Sequence, residues 1–233
     1  MAYIYEYIRT RGYEPIHFEE HYMRLKVLSE RLFHARLNTT PEELKEAISD
    51  MLRNEGYSSH TINCVYIRYY DNGEVKLETV EIIYNTFSLR AIRPQGYICH
   101  LSGDMLIENT SAKEAMLELN SSTTQTPNSE VPIWVGEGGS ILAIDGAPIV
   151  AVFEDEIRFS EVCGGVEFDI AMQNMSAPRR KISKCTITLD DLDTAKEVLY
   201  IDHRGITALV GWNERHYTDI TAERIARTIA EAE

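Results

Sequence analysis

The sequence predicts an α+β fold in two lobes. Two runs rich in β-branched and aromatic residues, 61–70 and 75–84, flank an Asp-Asn-Gly turn, which is a strong short-range signal for a β-hairpin. Strands and helices follow one another without an internal repeat, as is typical of α+β proteins. A polar, proline-containing connector, residues 120–129, is the predicted boundary between an N-terminal α/β lobe, 1–119, and a β-rich C-terminal lobe with helices, 130–233.

The first lobe opens with two predicted strands and two predicted helices. Residues 2–9 are aromatic and β-branched with rough alternation, and a glycine separates them from a second short strand at residues 15–18. Apolar residues at helical spacing predict a helix from Glu19 to Phe33. A Thr-Pro-Glu-Glu start signal at residues 40–43 predicts a second helix that ends near Asn54.

The rest of the chain alternates short strands with helices. Strands are predicted at residues 97–101, 131–135, 140–143, 149–153, 156–159 and 206–210, and near Cys185 and Val198. Helices are predicted at residues 111–119 and 166–175, and from Ala222 to the C-terminus. Glycines and Asp-Gly pairs separate the strands after residue 130, which favours a compact second lobe.

Composition excludes several classes of partner. The formal net charge is -14, from 23 basic and 37 acidic residues, which argues against nucleic acid because that affinity comes from Lys and Arg at phosphates. No apolar run approaches the roughly 20 residues that a membrane span needs. Residues Met1 to Arg11 carry no secretory signal, so a cytoplasmic protein is expected.

Cysteine and histidine spacing predicts no metal site. The four cysteines form no CxxC pair, which favours reduced, packed thiols at Cys64, Cys99, Cys163 and Cys185. His21 and His203 have no metal-ligating partner at a recognisable spacing.

Several segments, in one order, resemble the class IV aminotransferases. Residues 4–9 (Ile-Tyr-Glu-Tyr-Ile-Arg) and 15–25 (Pro-Ile-His-Phe-Glu-Glu-His-Tyr-Met-Arg-Leu) resemble the opening of branched-chain and D-amino-acid transaminases and of aminodeoxychorismate lyase. Residues 66–68 (Tyr-Ile-Arg), 130–159 and 187–198 are similar to later parts of these proteins. The resemblance implies the two-lobed D-amino-acid-aminotransferase-like architecture, PLP fold type IV, with the usual N-terminal strands lacking from the first lobe.

The resemblance also implies pyridoxal phosphate as the cofactor. Such an enzyme needs a lysine that holds the cofactor as a Schiff base, an acid beside the pyridine nitrogen and an anion pocket for the phosphate. Arg24 of the His-x-x-Arg-Leu element matches a phosphate ligand of the family, and Val166, Glu167 and His203 fall at its other phosphate-binding positions. Glu167 replaces a hydroxyl there and would repel a phosphate.

The implied lysine position falls at Glu108 or Asn109, and neither side chain can form a Schiff base. Lys113 lies about one helical turn further on and is the candidate replacement; the alternative is that Lys113 is a solvated surface lysine. The implied ring-nitrogen acid falls near Ala143, and the nearby Asp145 has the wrong strand parity. Two of the three chemical requirements are therefore not met at their expected positions.

A substrate pocket is implied in the first lobe. Arg9, Tyr66 and Arg68 fall where the family places the substrate carboxylate, and arginine suits a carboxylate because it can bind both oxygens. The alternative is that these residues form ion pairs on the sheet of an acidic protein.

Three functions remain open. The first is an aminotransferase-like protein that has lost the Schiff-base lysine and binds a small anionic or amino-acid-like ligand. The second is an active PLP-dependent aminotransferase or aminodeoxychorismate-type lyase that uses Lys113. The third is a scaffold with a relic pocket. The resemblance implies a homodimer in each case.

Overall fold

The structure, a computed structural model, describes residues 1–80, 88–101, 108–123, 130–160, 162, 164–175 and 180–232. The chain forms two compact units. The first unit comprises Met1–Thr86 and Asn109–Glu114, and the second comprises Phe87–Glu108 and Ala115–Glu233. The connector predicted at residues 120–129 lies partly outside the described residues, so a lobe boundary at that point stays a prediction.

Most predicted elements are present. The strands are β1 (Tyr3–Arg11), β2 (Glu14–Pro15), β3 (Ile62–Tyr70), β4 (Val75–Val80), β5 (Gln95–His100), β6 (Glu130–Val135), β7 (Ile141–Ile144), β8 (Ile149–Val152), β9 (Glu156–Ser160), β10 (Lys181–Cys185), β11 (Glu197–Asp202), β12 (Gly205–Ala208), β13 (Gly211–Trp212) and β14 (Arg215–His216). The helices are α1 (Phe18–Leu32), α2 (Pro41–Asn54), α3 (Ser111–Thr123), α4 (Val166–Asn174), α5 (Leu189–Thr194) and α6 (Ile220–Ala232).

An antiparallel sheet in the order β2-β1-β3-β4 forms the first unit together with α1 and α2. The predicted hairpin is confirmed, because β3 pairs with β4 around Gly73, whose φ of 86° suits the Asp-Asn-Gly turn. Alternate residues of β1 and β3, including Ile4, Ile8, Val65 and Ile67, pack against apolar residues of α1 and α2. One face of this sheet is therefore the helix-covered core face.

The prediction of a second strand at residues 15–18 is wrong in its bounds. The structure has β2 at Glu14–Pro15, and α1 begins at Phe18. Phe18 is buried with Tyr22 and Leu25 on one face of α1, so helical packing overrides the β propensity of this short run. Short α5 was not predicted by the apolar pattern.

The start of α2 matches its sequence signal. The Thr40 hydroxyl accepts a hydrogen bond from the Glu43 backbone N–H at 3.2 Å, and the Glu43 carboxylate accepts one from the Thr40 N–H at 2.8 Å. This reciprocal capping box satisfies two backbone donors that the helix itself leaves without acceptors.

Thr40→Ala removes the hydroxyl from this cap and is expected to lower the free energy of unfolding by about 1 kcal/mol. Urea unfolding followed by circular dichroism measures the change. Thr39→Ala is the control, since it removes the same side chain one residue before the cap. An equal loss of stability in both variants would contradict a specific capping contribution.

The second unit contains two five-stranded sheets, in the orders β10-β9-β8-β11-β12 and β14-β13-β5-β6-β7. Apolar residues from both sheets, including Ile133, Ile149 and Tyr200, form a shared core. The first of these sheets buries its other face against α4 and α6. Among the described residues, no helix is long and apolar enough to cross a membrane.

Candidate functional site

Glu6 is a charged residue on the core face of the first unit's sheet. Strand parity places it between Ile4 and Ile8, and it is only 3% exposed. A carboxylate buried among apolar side chains must be paired to be tolerated. His21 Nδ1 lies 3.0 Å from Glu6 Oε2, and Arg24 Nε donates to Oε1 at 2.8 Å. The three-residue spacing on α1 puts both partners on one helix face.

Asn109 extends this cluster from the edge of β1. The Asn109 carbonyl accepts the Tyr5 N–H at 3.0 Å, so the chain before α3 lies along the strand. The Asn109 side-chain amide donates to Glu6 Oε1 at 3.3 Å and accepts from Lys113 Nζ at 3.2 Å. We call the cluster the Glu6 network; it consists of Glu6, His21, Arg24, Asn109 and Lys113.

Lys113 belongs to this buried network. It is 6% exposed, so the alternative interpretation as a solvated surface lysine is wrong. The physical reason is the attachment of the first turn of α3 to the sheet: Thr110 bridges to Ile4 of β1, and its hydroxyl accepts the Lys113 N–H at 3.3 Å. The structure thus brings together Lys113, Arg24 and Asn109, three residues singled out from the sequence.

The Glu6 network holds its carboxylate in the charged form. Burial by itself raises the pKa of Glu6, but the positive charge of Arg24 and the hydrogen bond from His21 outweigh it, and the net pKa lies below the ordinary value. Because the folded pKa is lowered, this carboxylate contributes stability above the unfolded pKa, and that stability is lost as the pH falls through the folded value.

Glu6→Gln is expected to lower the free energy of unfolding at pH 7 by about 3 kcal/mol, because it leaves Arg24 without its buried counter-charge. The difference from wild type should shrink as the pH falls from the unfolded glutamate pKa through the lower folded pKa of Glu6, where Glu6 itself becomes protonated. Urea unfolding across this pH range measures both effects.

Glu14→Gln is the matched control, since Glu14 pairs with Lys45 at the exposed surface. Its effect should stay within about 0.5 kcal/mol. A Glu6→Gln variant as stable as this control at pH 7 would contradict the importance of the buried pair.

The opposite face of the same sheet is rich in tyrosine. Residues directly opposite one another in β1 and β3 project to the same side. The register pairs Tyr3 with Tyr70, Tyr5 with Arg68, Tyr7 with Tyr66 and Arg9 with Cys64. We name this side the tyrosine face; it carries Tyr3, Tyr5, Tyr7, Arg9, Cys64, Tyr66, Arg68 and Tyr70. The three predicted substrate residues, Arg9, Tyr66 and Arg68, therefore lie on one face.

Glu114 joins the first turn of α3 to the tyrosine face. Its carboxylate accepts hydrogen bonds from the hydroxyls of Tyr66, at 2.6 Å, and Tyr3. Burial and this carboxylate raise the pKa of Tyr3 to about 12, and they raise the pKa of Tyr66 further. Both hydroxyls thus stay protonated and act as donors.

Arg68 is held between tyrosine rings and a carboxylate. Its guanidinium carbon lies 5.0 Å from the centroid of the Tyr66 ring and 5.9 Å from that of Tyr3, within cation–π range. Glu78 of β4 forms an ion pair with it. Arg9 is 4% exposed on the same face. The face therefore combines two arginines with aromatic surface.

In alkaline titration, Tyr3 and Tyr66 should ionise well above the value of about 10 that unfolded tyrosine shows. A raised pKa means that the Glu114 contacts contribute stability below pH 10 and lose it as the pH rises further. NMR of protein with 13C-labelled tyrosine rings measures each pKa.

Glu114→Gln should move both values down, because it removes the negative charge that the two hydroxyls contact. Unchanged pKa values for Tyr3 and Tyr66 in Glu114→Gln would contradict the role of the carboxylate.

The predicted phosphate residues of the second unit lie at the start of α4 and in the β11–β12 turn. Gly165 is the N-cap of α4, Val166 is buried in its first turn, and the same turn carries two carboxylates, Glu167 and Asp169. Negative charge at a helix N-terminus stabilises the helix itself. It also opposes an incoming anion at the same place. His203 lies in the turn between β11 and β12.

Asp145 is bound to an arginine. Arg204 donates to Asp145 at 2.8 Å and, through Nε, to Asp202 at 2.9 Å. Burial alone raises the pKa of Asp202, but the Arg204 and His203 charges lower it to about 2. Ala143, the position implied for a ring-nitrogen acid, is buried beside Trp134 in an apolar cluster. Arg204 thus ties the turn after β7 to the β11–β12 turn within the second unit.

The sequence pattern missed the residues that organise these clusters. Glu6 could have been found, because a charged residue at core parity between Ile4 and Ile8 signals a buried pair. Glu114 carries no such signal, and neither does the contact of Arg204 with Asp145, because in both cases the partners are distant in sequence.

Solved structures of known proteins are similar to the structure of this chain. Neither a protein-family model nor a curated protein matches the sequence. A branched-chain aminotransferase of Thermoproteus uzoniensis with norvaline has a TM-score of 0.80 at 13% identity, covering 97% of this chain and 83% of that chain. A structure named as a 4-amino-4-deoxychorismate lyase of Legionella pneumophila has a TM-score of 0.77 at 9% identity, covering 99% and 91%.

A third similar structure is a hypothetical aminotransferase of Mycobacterium tuberculosis in its α-ketoglutarate- and PMP-bound form. Its TM-score is 0.73 at 12% identity, with coverage of 99% of this chain and 90% of that chain. At such identities the likeness concerns the fold alone. The expected architecture is confirmed: this chain has the fold of the class IV aminotransferases, PLP fold type IV.

Proposed function

We propose that this protein binds a small carboxylate or amino-acid-like ligand on an aminotransferase-type fold and has lost the Schiff-base chemistry of that fold. The observation that carries the proposal is the bonding of Asn109. At Asn109, one of the two positions where the resemblance implies a lysine, an amide donates to Glu6 and accepts from Lys113. An amide is no nucleophile towards an aldehyde, and this one completes a buried network.

The phosphate contacts support the same proposal. Arg24 directs its Nε–H to the buried Glu6 carboxylate, which offsets its positive charge. Glu167 and Asp169 add negative charge to the first turn of α4. A phosphate carries about two negative charges near neutral pH, and it would be repelled there.

The ring-nitrogen position gives a third argument. Ala143 has no ionisable group, and Asp145 is held by Arg204. A pyridine nitrogen needs an acidic partner if the ring is to withdraw electrons. We infer that the residues of this chain do not fit pyridoxal phosphate.

The tyrosine face supports a carboxylate ligand instead. Arg9 and Arg68 supply planar cationic groups that can hold both oxygens of a carboxylate. The rings of Tyr7 and Tyr66 stack with centroids 4.6 Å apart and offer an apolar wall beside them. This arrangement can bind and orient an anion and requires no covalent step.

Lys113 favours a second candidate function, a PLP-dependent aminotransferase or lyase. Its amine is buried and shares a network with Arg24, the phosphate residue implied by the resemblance. A lysine amine is the group that forms a Schiff base with the cofactor aldehyde. Homodimer formation and a cytoplasmic location stay predictions under both functions.

An absorbance spectrum from about 300 to 500 nm, recorded with pyridoxal phosphate and followed by borohydride reduction and peptide mapping, separates the two functions. We expect no new band and no reduced adduct on Lys113, because neither Glu108 nor Asn109, the two positions implied for the lysine, can form a Schiff base. An adduct on Lys113 that disappears in Lys113→Ala would refute the first function and establish the second.

Asn109→Lys completes this test. Restoring the lysine alone should give no transaminase turnover, because Ala143 and Glu167 remain. Substantial turnover from this single change would show that the rest of the site still fits the cofactor.

A further inference from the structure

The pairing of Arg68 with Glu78 leaves part of the arginine unused. Glu78 contacts Nη2 of the guanidinium. The neighbouring Nε–H is buried and has no acceptor among the residues that the structure describes. Nε and Nη2 together form the side-on fork of an arginine, which matches the two oxygens of one carboxylate. Glu78 therefore occupies one half of a two-donor site.

The two partners differ in how firmly they are held. The Arg68 side chain is 21% exposed and is fixed by the rings of Tyr3 and Tyr66, whereas the Glu78 side chain is 55% exposed. Exposed ion pairs contribute little to stability, because solvent screens them and both side chains lose freedom. Glu78 can thus leave the arginine at small cost, and Arg68 keeps its position when it does.

The local charge favours a negative replacement. Lys76 stands directly opposite Arg68 in the β3–β4 pairing, and Tyr66 stands opposite Glu78. Lys76 pairs with Glu74 at 3.7 Å, so Arg68 is the cation beside the aromatic rings that loses its ion-pair partner when Glu78 moves into solvent. A carboxylate with an apolar or aromatic body would meet the fork with its oxygens and the tyrosine rings with its body.

We propose that Glu78 is an internal competitor for the carboxylate-binding fork of Arg68, and that a monocarboxylate with an apolar or aromatic body displaces it. This inference rests on the proposed function and adds a determinant of its affinity and ligand class. In the free protein, the Glu78 carboxylate occupies the ligand position and forms a neutral pair with Arg68. Only carboxylates that bind both Nε and Nη2 of Arg68 displace it efficiently.

Isothermal titration calorimetry with phenylacetate and acetate tests the proposal. Glu78→Gln removes the competing charge and should tighten phenylacetate binding about fivefold, which is the order of an exposed ion pair. Acetate, which lacks the ring, should bind more weakly to every variant. Glu14→Gln removes one negative charge from another exposed pair of the same unit and should bind as wild type does.

Arg68→Lys keeps the charge but lacks the fork, and it should lose phenylacetate binding. Circular dichroism verifies that this variant is folded. The Arg68 Nε–H resonance supplies a direct readout, because a side-on carboxylate should shift it downfield on binding.

The outcomes separate the competitor role from the proposed function. Equal affinities in wild type and Glu78→Gln, with binding lost in Arg68→Lys, would overturn the competitor role and leave the carboxylate pocket in place. Absence of phenylacetate binding in both wild type and Glu78→Gln would overturn the competitor role together with the carboxylate pocket on this face.

Discussion

The buried carboxylate of Glu6 constrains much of the first unit. A carboxylate on the core side of a strand is costly unless cations and hydrogen-bond donors surround it, and here His21, Arg24 and Asn109 do so. Two of these partners fix the rotation of α1 on the sheet. The third holds the chain before α3 against β1, and through it Lys113 becomes part of a buried network.

Strand β1 contributes side chains to two chemically different faces of the sheet. On the core side, β1 contributes Glu6 to a network of mixed charge; on the other side, it contributes Tyr3 and Arg9 to an aromatic and cationic surface. Helix α3 contacts both sets of residues. Lys113 donates to Asn109 of the Glu6 network, and the next residue, Glu114, accepts from the tyrosine hydroxyls. A single residue of slippage in α3 would break both sets of contacts.

In the second unit, charged side chains hold turns together. Arg204 bonds to Asp145 and Asp202, so these carboxylates stabilise two neighbouring turns. The tight turn before β12 requires glycine at position 205, whose φ is 117° and whose missing Cβ would lie 2.4 Å from the Ser88 carbonyl oxygen.

The sequence by itself determined the elements whose signals are local. The Asp-Asn-Gly hairpin and the Thr40 capping box depend on residues within a few positions of one another, so their patterns could be recognised directly. The resemblance implies one substrate pocket for Arg9, Tyr66 and Arg68, and the register of β1 on β3 places them on one face of the sheet. The register in which β1 and β3 pair could not be predicted from the sequence.

Only the tertiary structure decided how charged side chains are matched. Whether Lys113 is exposed or buried depends on where α3 meets β1. The contacts of Glu6 with Asn109, of Glu114 with Tyr66 and of Arg204 with Asp145 join residues far apart in sequence. Burial and ion pairing depend on which side chains lie close together in the folded chain. The residue type at one position does not specify those neighbours. The fold could therefore be predicted from residue patterns, whereas the charge state and contacts of the site could not.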